Sequence, residues 1–258
     1  MSLTYGTIYG DYGSEKDTST TEDLGLVIGT RLILPDGRVF RYSFSDGAAG
    51  AGTGVQSSVA LANQDSDIAV AAAAAVGAKS VSVTFGTSPN TDVTANQYAS
   101  GYIFVNDVDG EGHVYRIRDT DAHVAADVSA SPAVTINLAD GDGIKEALTT
   151  SSEVGLVANP YMNVIPSPGG AQTGRTVGFA PCEVADNTYF WAQTWGEAAL
   201  LADGTLVIFR PVRMSDGTAG AVEEYSSQTD AEEQVVGFAT NVLAATTEYQ
   251  FCFIQISP

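Results

Sequence analysis

Turn signals recur along this sequence about every 8–12 residues, and this spacing restricts its fold more than any other feature. Between the turns lie short runs rich in β-branched and aromatic residues, such as GYIFV and HVYRIR around an Asp-Gly-Glu-Gly turn. No stretch longer than about 12 residues has the periodicity of an amphipathic helix. The pattern therefore predicts an all-β fold of small β-barrel or sandwich domains, with an extended N-terminal arm and little helix.

Changes in composition along the chain predict three segments. Residues 1–48 hold a Gly-, Thr-, Ser- and Tyr-rich arm followed by a β-hairpin, and residues 49–165 form a central β domain. A Pro- and Gly-rich stretch then opens a C-terminal β domain over residues 166–258. This last segment carries an internal repeat, because Val-Gly-Phe-Ala begins at both Val177 and Val236.

Each copy of the repeat predicts a strand, a short turn and a second strand that carries aromatic residues. Between the copies, the run AALLADGTLVIF predicts one more hairpin that turns at Asp203 and Gly204. The C-terminal segment is therefore expected to be built from successive hairpins.

The charge balance excludes several partners. The chain has 31 acidic and 11 basic residues and a formal net charge of −20, whereas nucleic acids and anionic membranes are bound by clustered positive charge. The longest run of small apolar residues, IAVAAAAAVGA, is too short to span a bilayer, and the N-terminus lacks the features of a signal peptide. We expect no nucleic-acid and no membrane partner.

Cys182 and Cys252 lie in apolar runs, which predicts free, buried thiols kept in a reducing cytosol.

Three of the eight arginines lie in one predicted hairpin, GTRLILPDGRVFRY, at residues 29–42. Its Pro-Asp-Gly sequence favours a tight turn. Arginine suits protein interfaces because it binds carboxylates in a bidentate geometry, and the alternative is a solvated polar face. Together with the aromatic residues of this region and of a later strand, the interface candidates are Arg31, Arg38, Phe40, Arg41, Tyr42, Trp191 and Trp195.

Two further patterns suggest ligands, each with a simpler alternative. Trp191 and Trp195 are expected to share one face of a strand, either as a sugar-stacking platform or as ordinary packing. Asp107, Asp109 and Glu111 stand at alternate positions around Gly110 and Gly112, as oxygen ligands do in a calcium loop. The acidic turn lacks the bidentate glutamate that ends an EF-hand loop, so a solvated turn is the alternative and no metal site is assigned.

No catalytic pattern emerges from the sequence. It has no Gly-x-Ser-x-Gly motif, its two histidines, His113 and His123, are far along the chain from the cysteines, and GAAGAGTGV lacks the Gly-Lys-Ser/Thr of a phosphate loop. Its acids offer no distinctive pair for glycoside hydrolysis. The residues therefore predict a non-enzymatic protein with no catalytic residues and no cofactor.

The hairpin sequence, the segment VTANQYASGYIFVNDVDGEGHVYRI and the segment EVGLVANPYMNVIP resemble a stretch common among tailed-bacteriophage virion proteins. The segment VGFAPCEVADNTYFWAQTWGEAALLADGTL is similar to capsid decoration (cement) proteins. In those proteins a VGxA strand, a short turn, an aromatic strand and an ADGT hairpin form a small β domain. The resemblance extends over nearly the whole chain.

This resemblance implies a viral structural protein that is made in the host cytoplasm and located on the capsid surface of the virion. It implies binding to the major capsid protein and a homo-oligomer, with a trimer favoured, and residues 1–23 correspond to an arm that reaches across the capsid. Two alternatives stay open. One is another virion component in the tail, collar or fibre base, and the other is a carbohydrate- or calcium-binding adhesion module.

Overall fold

A computed structural model describes residues 6–22, 26–85, 92–121, 133–225, 234–241 and 247–258. Regular structure in these ranges is almost entirely β-strand, and the one helical element there is a 3₁₀ turn at Ser14–Lys16. The predicted all-β class with little helix is therefore confirmed. Within the same ranges, no helix is long and apolar enough to cross a membrane.

The chain forms two compact units, and the first contains the residues up to Val59 together with Pro160–Pro258. It is built on an 11-stranded sheet. Its strands are β1 (Thr7–Tyr9), β2 (Arg31–Ile33), β3 (Val39–Phe44), β4 (Gly54–Gln56), β11 (Ile165–Pro166), β12 (Thr176–Phe179), β13 (Tyr189–Leu201), β14 (Pro211–Met214), β15 (Val222–Glu224), β16 (Val235–Ala239) and β17 (Tyr249–Gln255).

The long strand β13 organises this sheet. The main order is β1-β2-β3-β13-β17-β16-β14-β15, while β4 pairs with β11 and β12, and β12 also pairs with β13. The first half of β13 pairs with β3 and its second half with β17. Three clusters of buried apolar side chains pack on this framework.

The second unit, Ala60–Asn159, is a closed six-stranded barrel. Its strands are β5 (Ile68–Ala72), β6 (Ser80–Thr84), β7 (Tyr102–Asp107), β8 (Val114–Thr120), β9 (Ala133–Leu138) and β10 (Glu153–Val157). They close in the order β10-β5-β6-β9-β8-β7 around one apolar core. The predicted hairpin of GYIFV and HVYRIR is confirmed as β7 and β8.

The arginine-bearing hairpin is also confirmed, as β2 and β3. Gly37 takes a φ of +84°, and its N–H donates to the carbonyl of Leu34 at 2.9 Å, which closes the turn. Glycine is required there because a side chain rarely adopts positive φ.

The described part of the N-terminal segment lies against the sheet. Strand β1 pairs in parallel with β2. Further on, Ser19 and Tyr189 exchange two backbone hydrogen bonds of 3.0 and 2.7 Å. Residues 1–5 and 23 of the predicted arm lie outside the described residues.

The two units differ from the three predicted segments, 1–48, 49–165 and 166–258. Strand β3 of the first segment pairs with β13 of the last, so these two segments form one unit. Both ends of the predicted central domain also belong to the first unit, because β4 and β11 pair with each other there. Composition marks the loops, but it does not record which distant strands pair. Residues 60–159 are therefore an insertion into the first unit.

Both copies of the Val-Gly-Phe-Ala repeat form strands, β12 and β16, and each pairs antiparallel with the strand that follows it. Residues 242–246 of the second copy lie outside the described residues. The hairpin predicted at Asp203 and Gly204 is wrong. Strand β13 uses its second half to pair with β17, and the next strand, β14, pairs with β15 and β16 instead.

Candidate functional site

A groove lined by aromatic side chains lies on one face of β13 and β17. On β17 the even-numbered residues are buried, whereas Tyr249 and Phe251 are 49% and 47% exposed. Phe253 and Trp195 are half-buried beside them. The cavity has a volume of about 640 Å³. We call it the aromatic groove and define it by Trp195, Tyr249, Phe251 and Phe253.

The rings of the aromatic groove support one another. Trp195 meets Phe253 edge to face, with ring centroids 5.4 Å apart and an interplanar angle of 80°. Phe253 stacks on Phe238 of β16 at 5.4 Å and 15°. Such pairs contribute about 0.5–1.5 kcal/mol beyond the area they bury. The rings are therefore held in place across three strands.

One end of the groove carries a charged cluster. Arg38 binds Asp36 at 2.7 Å and Glu15 at 3.5 Å, and Glu15 is only 4% exposed. The Arg38 guanidinium lies 5.7 Å from the centroid of the Phe40 ring. Burial acts to raise the pKa of Asp36, but its hydrogen bonds to Arg38 and the charge of Arg38 outweigh that effect, so the pKa lies below its ordinary value.

Two glycines allow the groove walls to approach each other. A Cβ atom at Gly52, which has a φ of +69°, would lie 2.5 Å from the carbonyl oxygen of Ala199 and 2.8 Å from the Tyr249 ring. Gly196 has a φ of +96°, and a Cβ there would lie 3.0 Å from Cγ of Arg38. A larger residue at either position would disturb the groove.

The two tryptophans have separate environments, so the expectation that they share one face of a strand is wrong. Trp191 is buried and packs on Tyr42, with ring centroids 5.1 Å apart. Trp195 lies in the aromatic groove. Between them, the pairing of β13 with β3 shifts register from Gln193 to Trp195. Such an irregularity changes the side to which a side chain points and cannot be read from sequence spacing.

Most of the predicted interface residues in the hairpin contact other residues of the same chain. Phe40 and Tyr42 are buried in the core, which corrects their assignment as surface candidates. Arg41 donates to the carbonyl of Gly29 at 3.3 Å and to Oγ of Ser257 at 3.1 Å.

Arg31 and Arg38 complete the hairpin's arginines. Arg38 is held by the charged cluster at the groove. Arg31 is half-buried opposite Arg41, and its Nε has no hydrogen-bond partner among the described residues. Like charges in directly opposed positions of a strand pair are unfavourable. Of the hairpin's three arginines, Arg38 is the one that lines the groove.

A second exposed feature is the turn that precedes β14. Val207, Ile208 and Phe209 are consecutive, and all three side chains are exposed, Phe209 to 77%. Phe209 takes a φ of +65°, which is unusual for a bulky residue. Its N–H donates to the carbonyl of Ala239 at 2.9 Å, and this bond helps hold the conformation. We call these three residues the apolar turn.

The predicted calcium candidates do not form a ligand cluster. Asp107 accepts a hydrogen bond from the N–H of Val108, and Asp109 accepts one from Thr149 Oγ1 at 2.9 Å. Glu111 is exposed. Across the part of the chain that the structure describes, no three acidic, histidine or cysteine side chains are placed to hold a metal ion.

The candidate nucleophiles and bases have structural surroundings. Nδ1 of His113 lies 3.0 Å from the carbonyl oxygen of Gly110, within a turn. His123 lies outside the described residues. Cys252 is buried and free, and burial together with Glu197 raises its pKa to about 12, so the thiol stays protonated at neutral pH. Cys182 is free but only half-buried, in contrast to the prediction, and its thiol lies 3.6 Å from the carbonyl oxygen of Lys16.

Most residues of the aromatic groove were not predicted from the sequence. Tyr249, Phe251 and Phe253 alternate with buried residues, so the large aromatic side chains stand on the face of the strand that the core does not cover. A strand with one face on the core normally alternates apolar with polar residues. Three aromatic residues on the outward face of β17, beside a buried face that includes the polar Gln250, are the signal that could have identified the groove.

Comparison of the chain with protein-family models, with curated proteins and with solved structures found no match in any of the three. The fold and the geometry of the groove and turn therefore rest on this chain alone.

Proposed function

We propose that this chain is a non-enzymatic structural protein of a tailed-bacteriophage virion that binds the outer head lattice and stabilises it. The sequence resemblance to capsid decoration proteins motivates the proposal. The partner is the major capsid protein, and the acting form is a homo-oligomer, with a trimer favoured. The protein is made in the host cytoplasm and is located on the capsid surface.

The apolar turn is the observation that carries this proposal. Three consecutive exposed apolar residues are unfavourable in water unless a partner covers them. Phe209 is in addition held in a backbone conformation that is uncommon for a bulky side chain. An exposed aromatic residue in a fixed position can fill a pocket of a partner and supply much of the binding energy.

The net charge supports an apolar contact. A chain with a formal net charge of −20 repels an acidic surface and also repels other copies of itself. The apolar turn carries no charge, and the adjacent Arg210 is the nearest basic residue in sequence. Contact through this turn therefore avoids most of the repulsion.

Binding would stabilise the head by mass action. A protein that binds the assembled lattice, and not its separated subunits, adds favourable free energy to the assembled state alone. Particles depleted of the protein should then lose their DNA at a lower temperature than complete particles. Equal heat resistance of depleted and complete particles would contradict stabilisation.

Copy number in purified particles tests the position on the virion. Mass spectrometry should find on the order of hundreds of copies, as expected for a protein distributed over a closed symmetric shell. Phe209→Ser should reduce the number of bound copies, whereas Val114→Thr, an exposed apolar residue of the barrel, should not. Equal occupancy by both variants would contradict a role for the apolar turn.

Imaging of labelled protein on particles separates the head from the alternative positions. Copies arranged with icosahedral symmetry support decoration. Copies confined to one vertex support a tail, collar or fibre-base component instead.

The adhesion-module alternative loses its tryptophan pair and its calcium candidates. Trp191 is buried, and the three acidic calcium candidates do not converge. Of the tryptophan pair, only Trp195 remains accessible to a ligand.

A further inference from the structure

We infer that the aromatic groove is a binding site for an uncharged oligosaccharide. This inference concerns the groove alone and does not depend on the virion assignment. It rests on the arrangement of the rings, on the acidic groups beside them and on the size of the cavity.

The rings offer a surface that fits the apolar faces of sugar rings. Tyr249, Phe251 and Phe253 occupy alternate positions of β17, so neighbouring rings are separated by about 6.8 Å along the strand. Trp195 stands at the Phe253 end and closes the row. The C–H-bearing face of a pyranose can pack on such rings, while its hydroxyl groups at the edge remain free for hydrogen bonds.

Polar groups line the groove next to the rings. Glu197 is exposed and lies directly opposite Phe253 in the strand pairing. Its carboxylate accepts a hydrogen bond from Thr240 Oγ1 at 3.4 Å and has further lone pairs for ligand hydroxyls. Asp36 and Arg38 also line the groove, with Arg38 beside Gly196, and provide an acceptor and a donor. A few polar groups in a mainly apolar cleft are typical of a small-ligand site.

The charge of the groove favours uncharged ligands over anionic ones. Its lining includes three carboxylates, of Glu15, Asp36 and Glu197, and two basic groups, of Lys16 and Arg38. Arg38 is already bound to two of these carboxylates. Because the whole chain is also strongly acidic, a sialylated or sulfated glycan, or a nucleotide, would be repelled. An uncharged glycan avoids this cost.

The size of the groove fits a small ligand. Its volume of about 640 Å³ lies within the range of about 300–1,000 Å³ that is usual for small-molecule sites. The closely approaching walls at Gly52 and Gly196 also give the cleft a defined shape before any ligand binds.

Glycan-array binding with the full chain, followed by calorimetric titration, tests the inference. The probes are neutral oligomers of glucose, galactose and N-acetylglucosamine, with sialylated and sulfated glycans for contrast. We expect at least one neutral oligomer to bind, and Trp195→Ala to weaken its affinity about tenfold or more. Phe209→Ala, which removes an exposed ring outside the groove, should leave the affinity unchanged.

Three results would overturn the inference. They are the absence of binding by every neutral glycan, binding confined to anionic glycans, and equal affinity in wild type and Trp195→Ala. If Trp195→Ala fails to fold, Phe251→Ala provides the same test at an exposed position. Light scattering, which measures the oligomeric state, tests whether the groove is a protein interface instead. That reading is supported if the wild type is an oligomer that binds no neutral glycan and Trp195→Ala dissociates it.

Discussion

Arg38 connects the N-terminal segment to the hairpin through two carboxylates. Its side chain binds Asp36 in the turn and the buried Glu15 of the 3₁₀ element. Loss of the guanidinium would leave the Glu15 carboxylate buried with the N–H of Gly13, at 2.7 Å, as its hydrogen-bond donor. A buried charge that loses a partner destabilises the folded state.

We therefore expect Arg38→Ala to lower the free energy of unfolding by about 1–3 kcal/mol at neutral pH, as measured in urea. Arg118→Ala is the matched control. Its ion pairs with Asp119 and Asp140 are exposed to solvent, so their loss should cost much less stability than the loss of Arg38. Equal stability losses in the two variants would contradict the role given to Arg38.

The effect of Arg38→Ala should also depend on pH. Arg38 lowers the pKa of Asp36 in the folded state, so the stability it contributes is present above the ordinary Asp value of about 3.9. That contribution is lost as the pH falls through the folded-state pKa. The difference between wild type and Arg38→Ala should therefore shrink below about pH 4.

The burial of individual side chains was the hardest feature to predict from the sequence. The hairpin and its Pro-Asp-Gly turn followed from local chemistry, because turn preferences act over a few residues. The buried environment of Phe40, Tyr42 and Trp191 could not be predicted from local chemistry, because it depends on which strand covers these side chains. Hydrophobic alternation separates the two faces of a strand but does not show that both are covered.

At the scale of elements, the two Val-Gly-Phe-Ala strands share a packing requirement. A Cβ at Gly178 would lie 2.8 Å from the carbonyl oxygen of Gln193, and one at Gly237 would lie 2.1 Å from that of Phe253. In both copies the glycine lets the following strand approach closely. The repeat therefore preserves a close strand contact.

We expect Gly237→Ala to destabilise the first unit by about 1–3 kcal/mol, because the added methyl group overlaps backbone that cannot move alone. Gly170→Ala is the control in the same unit, since a Cβ there meets no atom within 4 Å. Thermal unfolding followed by circular dichroism compares the two variants. A similar midpoint for both would mean that β16 and β17 adjust freely.

The elements themselves were predicted well where pairing is local and poorly where it is not. The β2–β3 and β7–β8 hairpins each join strands separated by a short turn. The Asp203–Gly204 segment has equally good turn chemistry, yet no β13–β14 hairpin forms. There, the second half of β13 pairs with β17, and β14 pairs with β15 and β16. Competition among distant strands overrode the local preference.

At the scale of the whole molecule, residues 60–159 form an insertion with paired strands at its base. Immediately outside it, β4 and β11 run antiparallel, with Gln56 opposite Ile165 and Val55 opposite Pro166. The two points where the chain leaves and re-enters the first unit are thus close together. The barrel has its own apolar core and a closed ring of strand pairs. Each unit therefore contains what it needs to fold.

We expect the first unit to fold when residues 60–159 are replaced by a short Gly/Ser linker, since closing a short loop between neighbouring strand ends costs little. Both tryptophans of the chain belong to this unit, so tryptophan fluorescence reports on it alone. Its unfolding midpoint should match that of the full chain. The isolated 60–159 segment should unfold cooperatively by circular dichroism.

Removal of residues 54–166 is the control. It also deletes β4, the partner of β12, and should abolish cooperative unfolding of the first unit. A shortened chain that unfolds without cooperativity while the barrel stays folded would show that the first unit depends on the insertion.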